Sequence, residues 1–183
     1  IISGPSHAEE VAQEKLTYLT VGTSNSKLGK YISELLKTKY IISTVSNDMI
    51  GIEYSSSLKN IYSIMVGIAH GLGYGDNFVS VLISHSSKEM SDFIKAVHKT
   101  NRKINHSAYL GELLVTTYSS FSRNRTFGNM IGKGYSINSA KAEMNMIVEG
   151  YYATKNAFML SKKLSIKFLI IDFCYKILFE NKS

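Results

Sequence analysis

Residues Gly51 to Asn77 read GIEYSSSLKNIYSIMVGIAHGLGYGDN. At helical spacing Leu58, Ile61, Met65, Ile68 and Leu72 fall on one stripe, which predicts a helix with a core-facing side. The opposite arc carries Ser55, Ser56, Lys59, Ser63, Gly67 and His70, nearly all small, with one long cation among them. A solvated helix face normally bears several charges and few glycines. This arc therefore predicts that something comes close to the backbone: another helix, or a ligand that needs Lys59. Taken alone, a single Lys on a polar helix face is a solvated residue, so the flanking chain has to decide.

Upstream, strands and helices alternate. Ile1-Ile2-Ser3 reads as a strand end and Gly4-Pro5-Ser6 as a turn. His7 to Gln13 reads as a short helix, with Ser6 able to cap its first turn. Leu16 to Val21 is a strand by its β-branched and aromatic content. Lys27 to Lys37 is a helix with Leu28, Tyr31, Ile32, Leu35 and Leu36 on one face, and Tyr40 to Val45 is a second strand. This alternation belongs to an α/β sheet. Strands buried on both faces need neighbours, and the chain opens without Met on what reads as a strand end, so a piece of a longer protein is expected.

The chain has 183 residues, a formal net charge of +7, one cysteine and one proline. That length suits one domain or slightly more. The basic residues are scattered, with short groups at Lys162-Lys163 and Arg123-Asn124-Arg125. There is no long basic arm and no aromatic–basic ladder, so nucleic acid is not expected and a small anionic partner is. Cys174 cannot pair internally, which suggests a reducing, cytoplasmic setting. His7, His70, His85, His98 and His106 lack paired metal spacing, and no metal is expected. Leu164 to Phe179 is apolar but holds Lys167, Asp172 and Lys176, so it reads as a last helix and not a membrane span.

Gly71-Leu72-Gly73-Tyr74-Gly75 invites comparison with a dinucleotide loop. The fingerprint needs a strand before it, a helix after it, and a further glycine that this chain replaces. Here a long helix precedes, so the glycines end that helix and open a turn.

Downstream, Phe78 to Val97 reads as a helix with Val79, Val81, Leu82, Met90, Phe93, Ile94 and Val97 apolar, and Lys99 to His106 as a loop. Ala108 to Thr117 is apolar around Glu112. A carboxylate in such a run is either a helix residue facing outward or a paired functional group. In Ser119 to Gly128, Ser122 can cap a short helix with Phe127, Met130 and Ile131 apolar. A helix N-terminus presents free N–H groups, and Arg123 adds a charged fork, a combination that suits an anion; an ordinary basic loop is the alternative. Ser139 to Leu160 reads as one helical stretch, with Met144, Ile147, Val148 and Tyr151 on one face.

Taken in order, several strings resemble the NAD(P)-dependent glycerol-3-phosphate dehydrogenases. They are Ile1 to Ala12 (IISGPSHAEEVA), Glu53 with Leu58-Lys59-Asn60, Gly67 and Gly71 to Asn77, Gly111-Glu112-Leu113 with Thr116, Ser122-Arg123-Asn124-Arg125, and Val148-Glu149-Gly150. The resemblance implies a mostly α chain. Residues 48–183 would form a helical substrate-binding and catalytic domain of the 6-phosphogluconate-dehydrogenase-like type. Residues 1–47 would be the remnant of a Rossmann-like α/β domain that binds nucleotide.

The same resemblance makes Lys59 the catalytic acid/base in hydride exchange between NAD(P)H and dihydroxyacetone phosphate, giving sn-glycerol 3-phosphate for phospholipid synthesis. It puts Gly4, Ser6, Lys59, Asn60, Glu112, Thr116, Ser122, Arg123 and Asn124 at the substrate, and Ala8, Arg123, Ile147 and Glu149 at the cofactor, NAD or NADP. The family's cofactor loop lies upstream, so the chain alone is expected to bind NAD(P) poorly. A homodimer is expected too.

Departures from the family pattern are Leu16 for a Pro, His85-Ser86 for Arg-Gly, Tyr109 for a Gly, and Glu112 for an Asp. The Leu16 change is structural drift, while His85, Tyr109 and Glu112 leave a second reading open: a non-catalytic helical dimerisation or substrate domain.

Overall fold

A computed structural model describes residues 1–144 and 146–180. Strand β1, Ile2–Ser3, lies antiparallel on β2, Thr17–Gly22, and β2 pairs parallel with β3, Ile41–Ser46, in register Thr17 with Ile41 through Gly22 with Ser46. Parallel strands need a crossover, here α2, Ser26–Leu36, capped by Asn25, whose side chain accepts from the N–H groups of Lys27 and Leu28. The apolar face expected to pack α2 on the sheet does not do so. Leu28, Tyr31 and Leu35 are exposed, and the buried residues are Gly29 and Ser33. The reason is proximity. A Cβ on Gly29 would sit 2.6 Å from a Val45 methyl, and the Ser33 and Ser43 hydroxyls bond at 2.6 Å, so the helix lies on the strands through its small side.

Between β1 and β2 comes α1, Ala8–Ala12. Its first residue follows His7, and Ser6 does not cap it; the Ser6 hydroxyl donates instead to the Gly4 carbonyl at 2.9 Å.

The central helix is α3, Met49–Gly71, capped by Asp48, whose carboxylate accepts from Gly51 N–H at 3.1 Å. Leu58, Ile61, Met65 and Ile68 face the core as expected, but Leu72 lies past the helix end and is exposed. Half of the opposite arc is buried as well: Ser55, Ser63 and Gly67 are covered, Ser56 and Lys59 are half-buried, and His70 is exposed. Around α3 pack α4 (Asp76–Val97), α5 (Glu112–Tyr118, entered through a π-helical turn at Ser107–Gly111), α6 (Arg123–Gly132), α8 (Glu149–Lys163) and α9 (Leu169–Glu180). The small arc admits α6. A Cβ on Gly67 would stand 2.2 Å from the Arg125 carbonyl oxygen, and one on Gly128 2.1 Å from that of Ile64.

Two expected helices differ in extent. The stretch Ser139 to Leu160 is two helices, α7 (Ile137–Glu143) and α8, separated around 144–148; Asn145, inside that expected helix, lies outside the described residues, as do 181–183 at the end of the expected helical domain. The last helix starts at Leu169 and not at Leu164, because Ser165 has φ +54° and because Glu89 caps the later start, accepting from the N–H groups of Ile170 and Ile171. On α4, Val81 is exposed. The result is a mostly helical chain preceded by a small α/β part. No helix among the described residues is long and apolar enough to cross a membrane.

Candidate active site

Lys59 sits midway along α3. Its ammonium meets the Glu112 carboxylate at 2.5 Å, with the Lys59 side chain 20% and the Glu112 side chain 6% exposed. Glu112 therefore does not face outward; it is the paired group. Its other oxygen accepts from Gly4 N–H at 2.7 Å and from the Ser3 hydroxyl at 3.0 Å. The N–H of Gly4 can be aimed this way because the residue has φ +151° and because a Cβ there would lie 2.1 Å from the Tyr18 carbonyl oxygen. Both features favour glycine. Ser3 also bonds Ser56 of α3 at 2.9 Å. A charge so far from water needs this number of partners.

One residue along, Asn60 is buried. Its amide donates to Glu149 at 3.2 Å and its carbonyl oxygen accepts from Asn124 at 3.0 Å. Asn124 in turn accepts from Gly150 N–H at 2.9 Å, which joins α3, α6 and α8 at one point. Ser122 caps α6, accepting from Arg125 N–H at 3.3 Å, and its hydroxyl meets that of Ser63 at 2.9 Å. Ser63 donates to the carbonyl of Thr116, placing α5 beside the same helix end.

Arg123 is the half-exposed member. Its guanidinium lies 4.0 Å from Glu149, and one of its N–H groups points to the Met146 sulfur at 3.5 Å. Arg123 is thus tied through Glu149 to Asn60, the neighbour of Lys59. A permanently charged fork at a capped helix start is a ready anion site.

Of the residues singled out from sequence, Gly4, Glu112 and Lys59 form one group of contacts and Asn124, Asn60, Glu149 and Arg123 a second; the two meet at the Lys59–Asn60 step of α3, and Ser122 caps α6 beside the second. Thr116 is buried beside them on α5. The Ser6 hydroxyl bonds the Gly4 carbonyl and none of the other site residues named above, and Ala8 is exposed at the start of α1. Ile147 is exposed and lines an open groove of about 460 Å³ together with Ser56, Asn60 and Glu149. An apolar side chain and a carboxylate acceptor beside an open groove fit one end of a dinucleotide that carries hydroxyl and amide donors.

Sequence reasoning missed Ser3, whose strand is too short to show a pattern, and a cluster at the start of α3. There Arg102 forms a two-pronged pair with Asp48 and also donates to the His98 carbonyl at 2.7 Å, while the Tyr109 hydroxyl donates to Asp48 at 2.6 Å. Burial pushes the Asp48 carboxyl up, but the Arg102 and Tyr109 hydrogen bonds outweigh it and leave it below the usual range. Burial and the Asp48 contact push the Tyr109 hydroxyl up, past the range of an ordinary phenol. Tyr109 therefore points to a spot eleven residues, about 16 Å of helix, before Lys59. Cys174 is buried and its thiol is pushed up to about 12 by that burial, so it is inert.

The family described as NAD-dependent glycerol-3-phosphate dehydrogenase C-terminus matches residues 48–183. A glycerol-3-phosphate dehydrogenase [NAD(P)+] of Fusobacterium nucleatum is 39% identical over the whole chain, and one from Staphylococcus aureus is 36% identical. In both cases the chain spans 55% of the relative's length. Among solved structures, the glycerol-3-phosphate dehydrogenase of Coxiella burnetii superposes with a TM-score of 0.95 at 32% identity, covering 99% of this chain and 56% of that one. The Saccharomyces cerevisiae enzyme superposes with a TM-score of 0.90 over 99% of this chain and 56% of its own; at 22% identity it speaks for the fold alone.

Proposed function

The chain belongs to the NAD-dependent glycerol-3-phosphate dehydrogenase family, and on that premise we propose that it carries the substrate-binding and acid/base part of such an enzyme. Residues 48–183 form the catalytic domain in this reading and residues 1–47 the end of a nucleotide-binding one. The substrate pair is dihydroxyacetone phosphate and sn-glycerol 3-phosphate. The product serves phospholipid synthesis, in a cytoplasmic setting. The observation that carries the reading is that Asn60, the chain neighbour of Lys59, is linked by a hydrogen bond to Glu149 and through it to Arg123.

The nicotinamide cofactor supplies or takes up the hydride. Everything else falls to the protein. Reduction leaves negative charge on the former carbonyl oxygen, and the Lys59 ammonium stabilises it and hands over a proton; in the oxidation direction Lys59 takes that proton back. General acid/base help of this kind is worth about 10² to 10⁴ in rate. Glu112, fixed by Gly4 and Ser3, holds the Lys59 amine in one position, so little reorganisation is left for the reaction. The Arg123 fork and the N-terminus of α6 take the phosphate, with Asn124 and Asn60 orienting the carbon chain. Ile147 and Glu149 would meet the cofactor along the open groove.

The non-catalytic reading drew on Tyr109, Glu112 and His85. Tyr109 is engaged with Asp48, Glu112 with Lys59, and His85 is exposed on α4. None of the three obstructs the lysine. The test joins the chain to a family nucleotide-binding domain and follows NADH oxidation with dihydroxyacetone phosphate. Lys59→Met is expected to lower kcat by at least about 10³ with an unchanged circular dichroism spectrum. Absence of turnover in the unmutated protein would favour the non-catalytic reading.

A further inference from the structure

We propose that Met146 is an oxidation-sensitive site that disables the Arg123 clamp; this rests on the reading of Arg123 as the phosphate ligand. Of the seven methionines, Met65 and Met90 are buried, and Met146 and Met159 are the most exposed, at 62% and 52%. Of that pair, Met146 meets a guanidinium, its sulfur 3.5 Å from an Arg123 nitrogen. It also lines an open concavity of about 340 Å³, so a small oxidant reaches the sulfur.

The step balances with hydrogen peroxide as co-reactant. The thioether lone pair attacks one peroxide oxygen, an S–O bond forms and the O–O bond breaks. The departing hydroxide takes the proton from the hydroxyl now on sulfur and leaves as water, and the sulfoxide remains. Sulfur is oxidised by two electrons and peroxide is reduced.

The product changes the contact in kind. A thioether is a weak acceptor, whereas a sulfoxide oxygen is strongly dipolar and bonds well to a guanidinium N–H. The other side of the Arg123 fork is already turned to Glu149, 4.0 Å away. Oxidised Met146 and Glu149 would then hold the fork between them, and a phosphate would have to break that hold to bind.

The experiment uses the 183-residue chain and glycerol 3-phosphate, with binding followed by calorimetry before and after peroxide treatment. Mass spectrometry locates the added oxygen, and a methionine sulfoxide reductase reverses it. The affinity is expected to fall about tenfold on oxidation, the scale of one charge-assisted hydrogen bond, and to recover on reduction. Met159→Leu should show the same fall, and Met146→Leu should show none. An affinity untouched by complete Met146 oxidation, or a fall that persists in Met146→Leu, overturns the switch alone. No binding before any oxidation overturns the clamp and this proposal together.

Discussion

At the scale of single residues, chemistry was legible where a residue type stood out from its surroundings. Lys59 among serines and Glu112 among aliphatics were both out of place, and they prove to be each other's partner. Legibility ended where the partner is a backbone group or a residue from a loop. Nothing about Ser3 or Gly4 announces that they bond the far oxygen of Glu112, and Arg102 sat in what read as an ordinary polar loop. The pairing predicts the behaviour of Glu112→Gln. The amide oxygen can still accept from Gly4 and Ser3, but the Lys59 charge, four-fifths covered, loses its counter-ion. A stability loss of about 1–2 kcal/mol is expected by urea denaturation, together with a fall in kcat of about tenfold or more in the joined enzyme. Unchanged values in both measurements would show that the ion pair is idle.

At the scale of elements, the helix order was legible and several ends were not. Apolar periodicity continues through Met144, Ile147, Val148 and Tyr151, so it could not reveal the break between α7 and α8. The burial along the small arc of α3 was legible only as a choice between a helix and a ligand, and the helix half is what the packing shows. Toward its C-terminal end the arc meets α6 backbone to backbone at Gly67 and Gly128; at Lys59 it meets the candidate site. Close approach of backbones is why residues on three helices can share hydrogen bonds around Asn60 and Asn124. Gly67→Ala would put a methyl 2.2 Å from the Arg125 carbonyl oxygen. Backbone cannot swing aside as a side-chain tip can, so α6 must shift. A cost of about 2–3 kcal/mol is expected, with weaker glycerol 3-phosphate binding, because the N-terminus of α6 moves with it. A binding loss without a stability loss would contradict this account. Gly73→Ala is a weaker control, since its φ of +88° strains a side chain but no atom of the described residues lies within 4 Å of the added carbon.

At the scale of the whole molecule, α3 ties the small sheet to the helical part, and two carboxylates secure distant corners of the assembly. Asp48 fastens the start of α3 to Arg102 and Tyr109, and Glu89 on α4 fastens the start of α9. Their titrations oppose each other. The hydrogen bonds from Arg102 and Tyr109 overcome burial and hold Asp48 below its ordinary 3.8. The folded state binds that proton less tightly than the unfolded chain, so the stabilisation from Asp48 is complete above 3.8 and is lost as pH falls through the lowered value. Glu89 is raised above 4.5, chiefly by burial, with the N–H groups of Ile170 and Ile171 opposing. Here the folded state holds the proton more tightly, so its contribution is complete below 4.5 and is lost as pH rises through the raised value. Together the two place their joint optimum near pH 4, between the windows. Tyr109→Phe removes one bond to Asp48 and should cost about 1 kcal/mol near neutrality. It should also move the acid limb of the stability curve to higher pH, because Asp48 is then less strongly held in its charged form. Glu89→Gln should flatten the decline on the other side, leaving the acid limb in place. Denaturation midpoints taken at half-unit steps from pH 3 to 7 read both effects at once. Parallel curves for the two variants and the unaltered chain would mean that neither carboxylate governs the pH response.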